Sequence, residues 1–181
     1  MALEQEIKLP FPDVEAARQA VKTAGGRLLH SRRLIDDRLF DDENSWLRER
    51  GCALRIRQDG ERAFITWKGP AAERGPVKSR EELETEIKNA ETVSAIVSNL
   101  RYRQRFRSQK YRTEYEIQNA LVTIDETPIG VFIEIEGDPA LIAVVAAALG
   151  RSPVDYVLDS YPSLWRQWCE RQKRPFGDML F

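Results

Sequence analysis

Leu3, Gln5, Ile7 and Leu9 alternate with Glu4, Glu6 and Lys8 at the start of the chain. A β-strand sends successive side chains to opposite faces, so the three charged residues share one face. The two-residue period returns along the sequence. Arg55 and Arg57 oppose Leu54 and Ile56, and Phe64, Thr66 and Lys68 oppose Ala63, Ile65 and Trp67. Arg80, Glu82, Glu84 and Glu86 oppose Leu83, Thr85 and Ile87, while Ser108, Lys110, Arg112 and Glu114 alternate with Gln109, Tyr111, Thr113 and Tyr115. Thr123 and Asp125 alternate with Val122 and Ile124, and Phe132, Glu134 and Glu136 with Val131, Ile133 and Ile135. The pattern predicts strands near residues 3–9, 35–40, 53–58, 62–68, 79–88, 105–117, 121–125 and 130–137. Gln58-Asp59-Gly60 suits a hairpin turn.

Four segments carry the helical period instead. One covers about Asp13 to Ala24, entered through Pro12-Asp13 and stopped by Gly25-Gly26, with Val14, Ala17, Val21 and Ala24 on one stripe. A second lies around Ala90 to Leu100. A third has Asp138 as cap, Pro139 in its first turn and Gly150 at its end. A fourth runs near Pro162 to Gln172. The stretch Gly69 to Lys78, rich in Gly, Pro, Ala and charge, reads as a mobile loop able to close over a ligand. Eight strands with short connections and a few helices give an α+β chain built on an antiparallel barrel or strongly curved sheet, 1–181 forming one domain.

Each strand thus has an apolar and a charged face. A sheet packed on helices with its charged face in solvent would read the same way. Two features favour a closed sheet with the charge inside. The charged faces favour Arg and carboxylates over the Ser, Thr, Gln, Asn and Lys mix of an ordinary solvent face. Four amphipathic helices could cover the apolar face from outside. Enclosed charges must be paired or bind something. A tunnel of both signs suits a polyanion chelated to a divalent cation. Carboxylates two residues apart on a strand can converge on the metal, and Lys and Arg hold phosphate oxygens.

Composition narrows the field. The 181 residues carry 28 Lys+Arg against 29 Asp+Glu, a net charge of −1. That balance argues against a general nucleic-acid binder, and against RNA 5′-triphosphate as substrate. Cys52 and Cys169 offer neither a disulfide framework nor metal-ligand spacing. The longest apolar run, Ala140 to Leu149, is too short to span a bilayer, and no secretory pattern opens the chain. A reduced, cytoplasmic setting without membrane association is expected.

Several motifs then resemble those of the CYTH superfamily, the triphosphate tunnel metalloenzymes. Glu4-x-Glu6-x-Lys8 resembles its ExExK signature. Leu54-Arg55-Ile56-Arg57 and Thr66-Trp67-Lys68-Gly69-Pro70 resemble its arginine and lysine strands. Arg80-Glu81-Glu82-Leu83-Glu84 is similar to its RxExE strand, and Lys110-Tyr111-Arg112 to its KxR element. Asp125, the run Gly130 to Glu136 and Ser160-Tyr161 complete the ordered set, which covers about residues 2–165.

The resemblance implies an eight-stranded antiparallel β-barrel forming a triphosphate tunnel, with flanking helices. It implies that Glu4, Glu6, Glu134 and Glu136 hold Mg2+ or Mn2+, with Asp125 as a further ligand or water-positioning group. Lys8, Arg55, Arg57, Lys68, Arg80, Lys110 and Arg112 would hold the triphosphate, a small-molecule substrate. Glu82 and Glu84 would orient the basic residues or complete a second metal site. Lys8, Arg57, Lys68 and Asp125 are expected to carry the chemistry. The family includes triphosphatases and class IV adenylate cyclases, and its bacterial members are often homodimers. Hydrolysis is the leading expectation and cyclisation of ATP the alternative. A non-catalytic polyphosphate- or nucleotide-binding module is a third, disfavoured because anion binding needs only the basic residues.

Other residues carry blander readings. His30, the only histidine, has no nucleophile arrangement near it in sequence. Trp165 and Trp168 read as helix-docking residues, and Trp46 as a guess for the tunnel mouth. Arg101, Arg103, Arg105 and Arg107 read as a solvated strand edge or an outer funnel for polyanions.

Overall fold

The computed structural model describes residues 2–74 and 77–181. Nine strands and five α-helices follow in the order β1 (Ala2–Phe11), α1 (Val14–Thr23), β2 (Arg27–Asp41), α2 (Trp46–Glu49), β3 (Ala53–Asp59), β4 (Arg62–Lys68), β5 (Ala72–Arg74), β6 (Val77–Ile87), α3 (Ala90–Asn99), β7 (Arg103–Ile117), β8 (Ala120–Thr127), β9 (Gly130–Glu136), α4 (Pro139–Ala148) and α5 (Tyr161–Arg171). The sheet order is β1-β9-β8-β7-β2-β3-β4-β6-β5, and β1 also pairs with β6. That last pairing closes eight antiparallel strands into a barrel. All eight expected strands are present.

Three differences from the sequence reading have clear causes. β2 runs through fifteen residues rather than six, because its first half lies along β7 (Arg27↔Glu116 to Leu34↔Tyr111). Register breaks after Leu28 and His30 interrupt its alternation there and hide it from a period-2 reading. The expected loop Gly69 to Lys78 contains β5, which pairs with the start of β6 (Ala72↔Ser79) and continues the β4 side of that strand. Gly75 and Pro76 lie outside the described residues. The short helix α2 was not expected. Two aspartates build it: Asp42 accepts from Asn44 N and Trp46 N, and the buried Asp41 accepts from Leu47 N at 2.9 Å and Arg48 N at 3.0 Å.

The inward–outward split follows strand parity. Ile7 and Leu9 of β1, Val122 and Ile124 of β8, and Ile133 and Ile135 of β9 face outward and are fully buried beneath Ala17 and Val21 of α1 and Ile142, Val145 and Ala146 of α4. A smaller cluster packs Phe40, Ile56 and Ala63 against Ala90 and Val97 of α3. Each fully buried aliphatic side chain contributes about 2 kcal/mol. The helices start where capping side chains satisfy free N–H groups: Asp13 accepts from Ala16 N at 2.7 Å, Asn89 from Thr92 N at 2.7 Å, and Asp138 from Ala140 N at 2.9 Å. The apolar face is therefore spent on the outer helices. The barrel interior is left to the charged residues.

Asp41→Ala leaves the N–H groups of Leu47 and Arg48 without their acceptor. Urea unfolding is expected to show a loss of about 2 kcal/mol with an unchanged m-value.

Candidate functional site

A cavity of about 1560 Å³ runs through the barrel. Of the fourteen residues expected at the site, thirteen line it: Glu4, Glu6 and Lys8 from β1, Arg55 and Arg57 from β3, Lys68 from β4, Arg80, Glu82 and Glu84 from β6, Lys110 and Arg112 from β7, and Glu134 and Glu136 from β9. Asp125 lies behind them with no exposure.

The charges pair across strands. Lys68 Nζ sits 2.7 Å from Glu4 and 2.6 Å from Glu82. Lys8 Nζ, on a side chain 3 % exposed, lies 3.1 Å from Glu6 and 3.3 Å from Glu134. Arg57 clamps Asp37 through two bonds of 2.7 and 2.9 Å. Arg55 reaches Glu84 at 3.1 Å and Thr66 Oγ1 at 3.2 Å. Arg80 is different. Its guanidinium donates to the backbone carbonyls of Gly69 and Gly51, which pins it at the edge of the tunnel with no carboxylate partner among the described residues.

Asp125 is the node at the opposite wall. It accepts from Lys110 Nζ at 2.6 Å, from Arg112 at 2.7 and 2.6 Å, and from the Tyr161 hydroxyl at 2.8 Å. Arg112 also bonds Glu134. Tyr161 packs edge-on to Phe132, and its ring lies under the ammonium groups of Lys110 (4.6 Å) and Lys8 (5.4 Å). Burial, then Asp125 and Glu134, push the Tyr161 phenol well above its usual range, so it remains a neutral donor.

Four interior residues were missed in the sequence. Asp37 and Arg33 share the inward parity of β2, but the strand was read too short and its faces were not assigned. Arg33 is held by Asp59 and Glu114. Lys78, 3.0 Å from Glu6, has the parity of Arg80 and Glu82 but lay one residue outside the expected strand. Tyr161 was noted only as part of a short motif, and nothing in the sequence places its hydroxyl against Asp125.

One sector of the tunnel has surplus negative charge. Glu6 and Glu136 face each other directly across β1 and β9, and Glu4 stands beside Arg80 and Glu82 on β6. Like charges directly opposite are destabilising. Burial, a hydrogen bond shared with Glu82 and the nearby Glu6 raise the Glu4 carboxyl to about 7. Burial, then Glu6 and Glu82, raise Glu136, which has no ion-pair partner among the described residues. Burial works against ionisation of Glu6 too, but Lys8 and Lys78 override it and hold the carboxyl at about 2. Among the described residues no three carboxylate, His or Cys side chains converge as a ready-made cage for an ion. The donors nonetheless fit a hard divalent cation: an all-oxygen set, crowded and short of positive charge.

The remaining candidates sit apart from this sector. His30 is exposed, its Nε2 3.9 Å from Glu114 at the rim. Trp165 and Trp168 stack on each other at 4.8 Å, and Trp46 stacks with Arg50. Arg103 and Arg107 bind the Ser98 carbonyl and Asp36, whereas Arg105 lines the tunnel mouth. No helix among the described residues is long and apolar enough to cross a membrane.

The geometry of a closed eight-stranded barrel with an inward charged face defines a class. A family-wide profile of the CYTH domain matches residues 2–155, and the chain belongs to that family. A curated relative from Methanocaldococcus jannaschii, named "Putative adenylate cyclase MJ0240", is 29% identical over 135 residues, covering 74% of this chain and 76% of its own. A solved structure from Vibrio parahaemolyticus, described as a "putative adenylate cyclase", superposes with a TM-score of 0.78 at 20% identity, covering 90% of this chain and 97% of that one. Another, from Hippeastrum, is described as a "Putative adenylyl cyclase" with "a dominant" triphosphatase activity; it has a TM-score of 0.67 at 18% identity and covers 97% and 98% of the two chains.

Two measurements test the charge surplus. Glu136→Gln removes the repulsion across from Glu6 and is expected to stabilise the protein in EDTA by up to about 1 kcal/mol at pH 8, read as a rise in Tm. Glu4, raised from 4.5 to about 7, makes the folded state bind more protons than the unfolded state between those values. The stability it contributes is present below the unfolded value and lost as pH rises through the folded one. In EDTA, Glu4→Gln is expected to flatten the fall in stability between about pH 5 and about pH 8.

Proposed function

We propose that this chain is a divalent-metal-dependent enzyme that holds a triphosphate in the barrel and hydrolyses it. The observation that carries the reading is the enclosure of Lys8, Arg55, Arg57, Lys68, Lys110 and Arg112 in one cavity with the crowded carboxylates of β1, β6 and β9. A pure anion receptor needs the cations alone.

Outside the acidic surplus around Glu4, Glu6 and Glu136 the site is internally paired, and that constrains how it binds. A triphosphate entering alone would strand the carboxylates that now pair with Lys8 and Lys68. A divalent cation entering alone would strand the lysines. Entering together, the two partners exchange each internal ion pair for an external one and leave no buried charge unpaired. Glu4, Glu6, Glu134 and Glu136 would hold Mg2+ or Mn2+, and Glu82 and Glu84 would orient Lys68 and Arg55 or complete a second metal position. The metal, when bound, supplies charge neutralisation on phosphate oxygens. The rest falls to the chain. Lys8, Arg57, Lys68 and Arg55 would fix the phosphate oxygens and stabilise the charge that spreads over them during transfer. Asp125 would orient Lys110 and Arg112 towards the substrate, with Arg80 at the tunnel edge. Water attacking the terminal phosphorus would release orthophosphate.

Cyclisation of ATP to cyclic AMP and pyrophosphate is the second reading. It is favoured by the name of the M. jannaschii relative. The triphosphatase activity in the description of the Hippeastrum structure supports placing hydrolysis first. Product analysis decides between them. The pure protein is incubated with Mg2+ or Mn2+ and tripolyphosphate, thiamine triphosphate or ATP, and products are resolved by phosphorus NMR. Orthophosphate is the expected product; cyclic AMP with pyrophosphate would establish the cyclase instead.

Coupled entry of metal and polyanion makes a binding prediction. Titration calorimetry in EDTA is expected to show tripolyphosphate affinity at least about tenfold below that with Mn2+. Equal affinities would indicate a simple polyphosphate-binding module. Glu6→Gln and Glu134→Gln are each expected to abolish turnover at saturating Mg2+. Arg57→Ala is expected to weaken triphosphate binding far more than monophosphate binding, and equal losses would remove Arg57 from the phosphate-binding set.

A further inference from the structure

The cavity reaches both ends of the barrel, and the two ends carry opposite charge. The mouth is built by α2, α5 and the C-terminal segment, a strap along β7. Met179 N donates to Arg107 O at 2.9 Å, Gln109 N to Met179 O at 2.8 Å, Arg107 N to Asp178 at 2.8 Å and Trp165 Nε1 to Gly177 O at 2.7 Å. Arg48, Arg105 and Arg166 line this end beside Phe176, and none has a carboxylate within 4.0 Å among the described residues. Asp41 lines it too, but its oxygens accept from backbone N–H groups of α2. The far end is made by the β3–β4 hairpin, the first half of β2 and the β7–β8 hairpin. Asp59, Glu61, Glu114 and Glu136 line it against Arg33 and Arg62. Arg33 is shared by Asp59 and Glu114, and Arg62 is drawn off to Glu86 at 2.8 Å. Glu61 and Glu136 have no cationic partner among the described residues.

The acidic end leads straight to the carboxylates of β1 and β9. Glu114, Thr123 and Glu134 stand side by side in one row across β7, β8 and β9, and Leu121, Glu136 and Glu6 stand in the next row across β8, β9 and β1. Glu114 and Glu134 are thus two strand spacings apart, about 10 Å. Thr123 lies between them. It is only 2 % exposed, and its Oγ1 is buried with no hydrogen-bond partner among the described residues. Buried hydroxyls are normally satisfied. Thr123 has the parity of Asp125 and so points inward. An unused oxygen between two carboxylates suits a hard cation passing along the row.

We propose that the divalent cation enters the barrel through this acidic far end while the triphosphate enters through the arginine-lined mouth, so that the two meet at Glu134 and Lys8 from opposite sides. The inference rests on the metal-dependent triphosphate reading above. The unpaired guanidiniums of the mouth repel a dication and attract a polyanion, and the far end does the reverse. Occupancy stays coupled, because each ligand needs the other to pair the charges it frees. Only the paths are separate.

Rapid freeze-quench electron paramagnetic resonance of Mn2+ reads both association rates without turnover. Mn2+ is mixed with metal-free protein, and the non-hydrolysable imido analogue of tripolyphosphate is mixed with Mn2+-loaded protein. At low ionic strength Glu61→Lys is expected to slow Mn2+ uptake about threefold to tenfold and to change the analogue's rate by less than about twofold. Arg105→Glu is expected to slow the analogue about threefold to tenfold without slowing Mn2+. Both differences are expected to shrink at high salt. Glu61 and Arg105 are exposed, so neither substitution disturbs the core. An unchanged Mn2+ rate in Glu61→Lys overturns the proposal, and faster Mn2+ uptake in Arg105→Glu would then place the cation's entry at the mouth. Equal slowing of both ligands in Glu61→Lys overturns it too, as does a wild type that takes up Mn2+ only together with the analogue. A wild type that binds neither, alone or together, removes the triphosphate reading itself.

Discussion

The carboxylate of Asp125 has no exposure and three cationic or hydroxylic donors, and the rest of the tunnel is arranged around it. An unpaired carboxylate in that position would cost several kcal/mol. Lys110 and Arg112 on β7 and Tyr161 on α5 remove that cost, and in doing so they are fixed themselves. Arg112 is then aimed at Glu134, and Glu134 at Lys8. One buried acid thus sets the position of a cation on β7, an acid on β9 and a cation on β1. It also ties α5, which lies outside the family match, to the wall of the barrel.

The barrel is inverted relative to an ordinary small β-barrel, whose interior is filled with aliphatic side chains. Here the helices α1, α3 and α4 cover the apolar face, so the fold draws its hydrophobic stabilisation from outside the staves. The interior can then carry charge without weakening the core. It can do so only in near balance, and the balance is local rather than complete. The wall around Asp37, Arg57, Asp125 and Arg112 is closely paired, with Asp37 held far below its usual range because Arg57 and Arg55 override its burial. The sector around Glu4, Glu6 and Glu136 is over-supplied with acid, and burial with Glu82 and Glu6 raises the Glu4 carboxyl.

How much of this was legible in sequence depended on the period. Strands with uninterrupted alternation, such as Leu54 to Arg57 or Val131 to Glu136, revealed both their existence and their inward residues. β2 did not: register breaks after Leu28 and His30 hide its first half, and from Arg33 to Phe40 both faces mix charged with apolar residues, so Arg33 and Asp37 do not stand out. The counter-ion of Arg57 was therefore invisible although Arg57 itself was not. Lys78 was lost to a boundary error of one residue, and α2 to its length of four residues, too short for any helical period to register. Asp125 was recognised as a site residue, but its bonds to Lys110, Arg112 and Tyr161 join three elements distant in sequence, and no spacing rule encodes them.

Two layers of the site then differ in how they are specified. The charged inner layer lies on barrel strands within the family match, where hydrogen-bonded neighbours fix each Cβ and leave little freedom for change. The mouth is made by α2 and by the C-terminal strap, elements attached to the barrel at few points and able to vary without disturbing strand pairing. The surface at the mouth can therefore change while the charge balance of the interior is kept. In this chain the strap is held by four backbone-centred bonds to β7 and α5 rather than by the tunnel charges. Phe176 is consequently positioned apart from the tunnel charges, whereas Arg166 shares α5 with Tyr161 and is tied through it to Asp125.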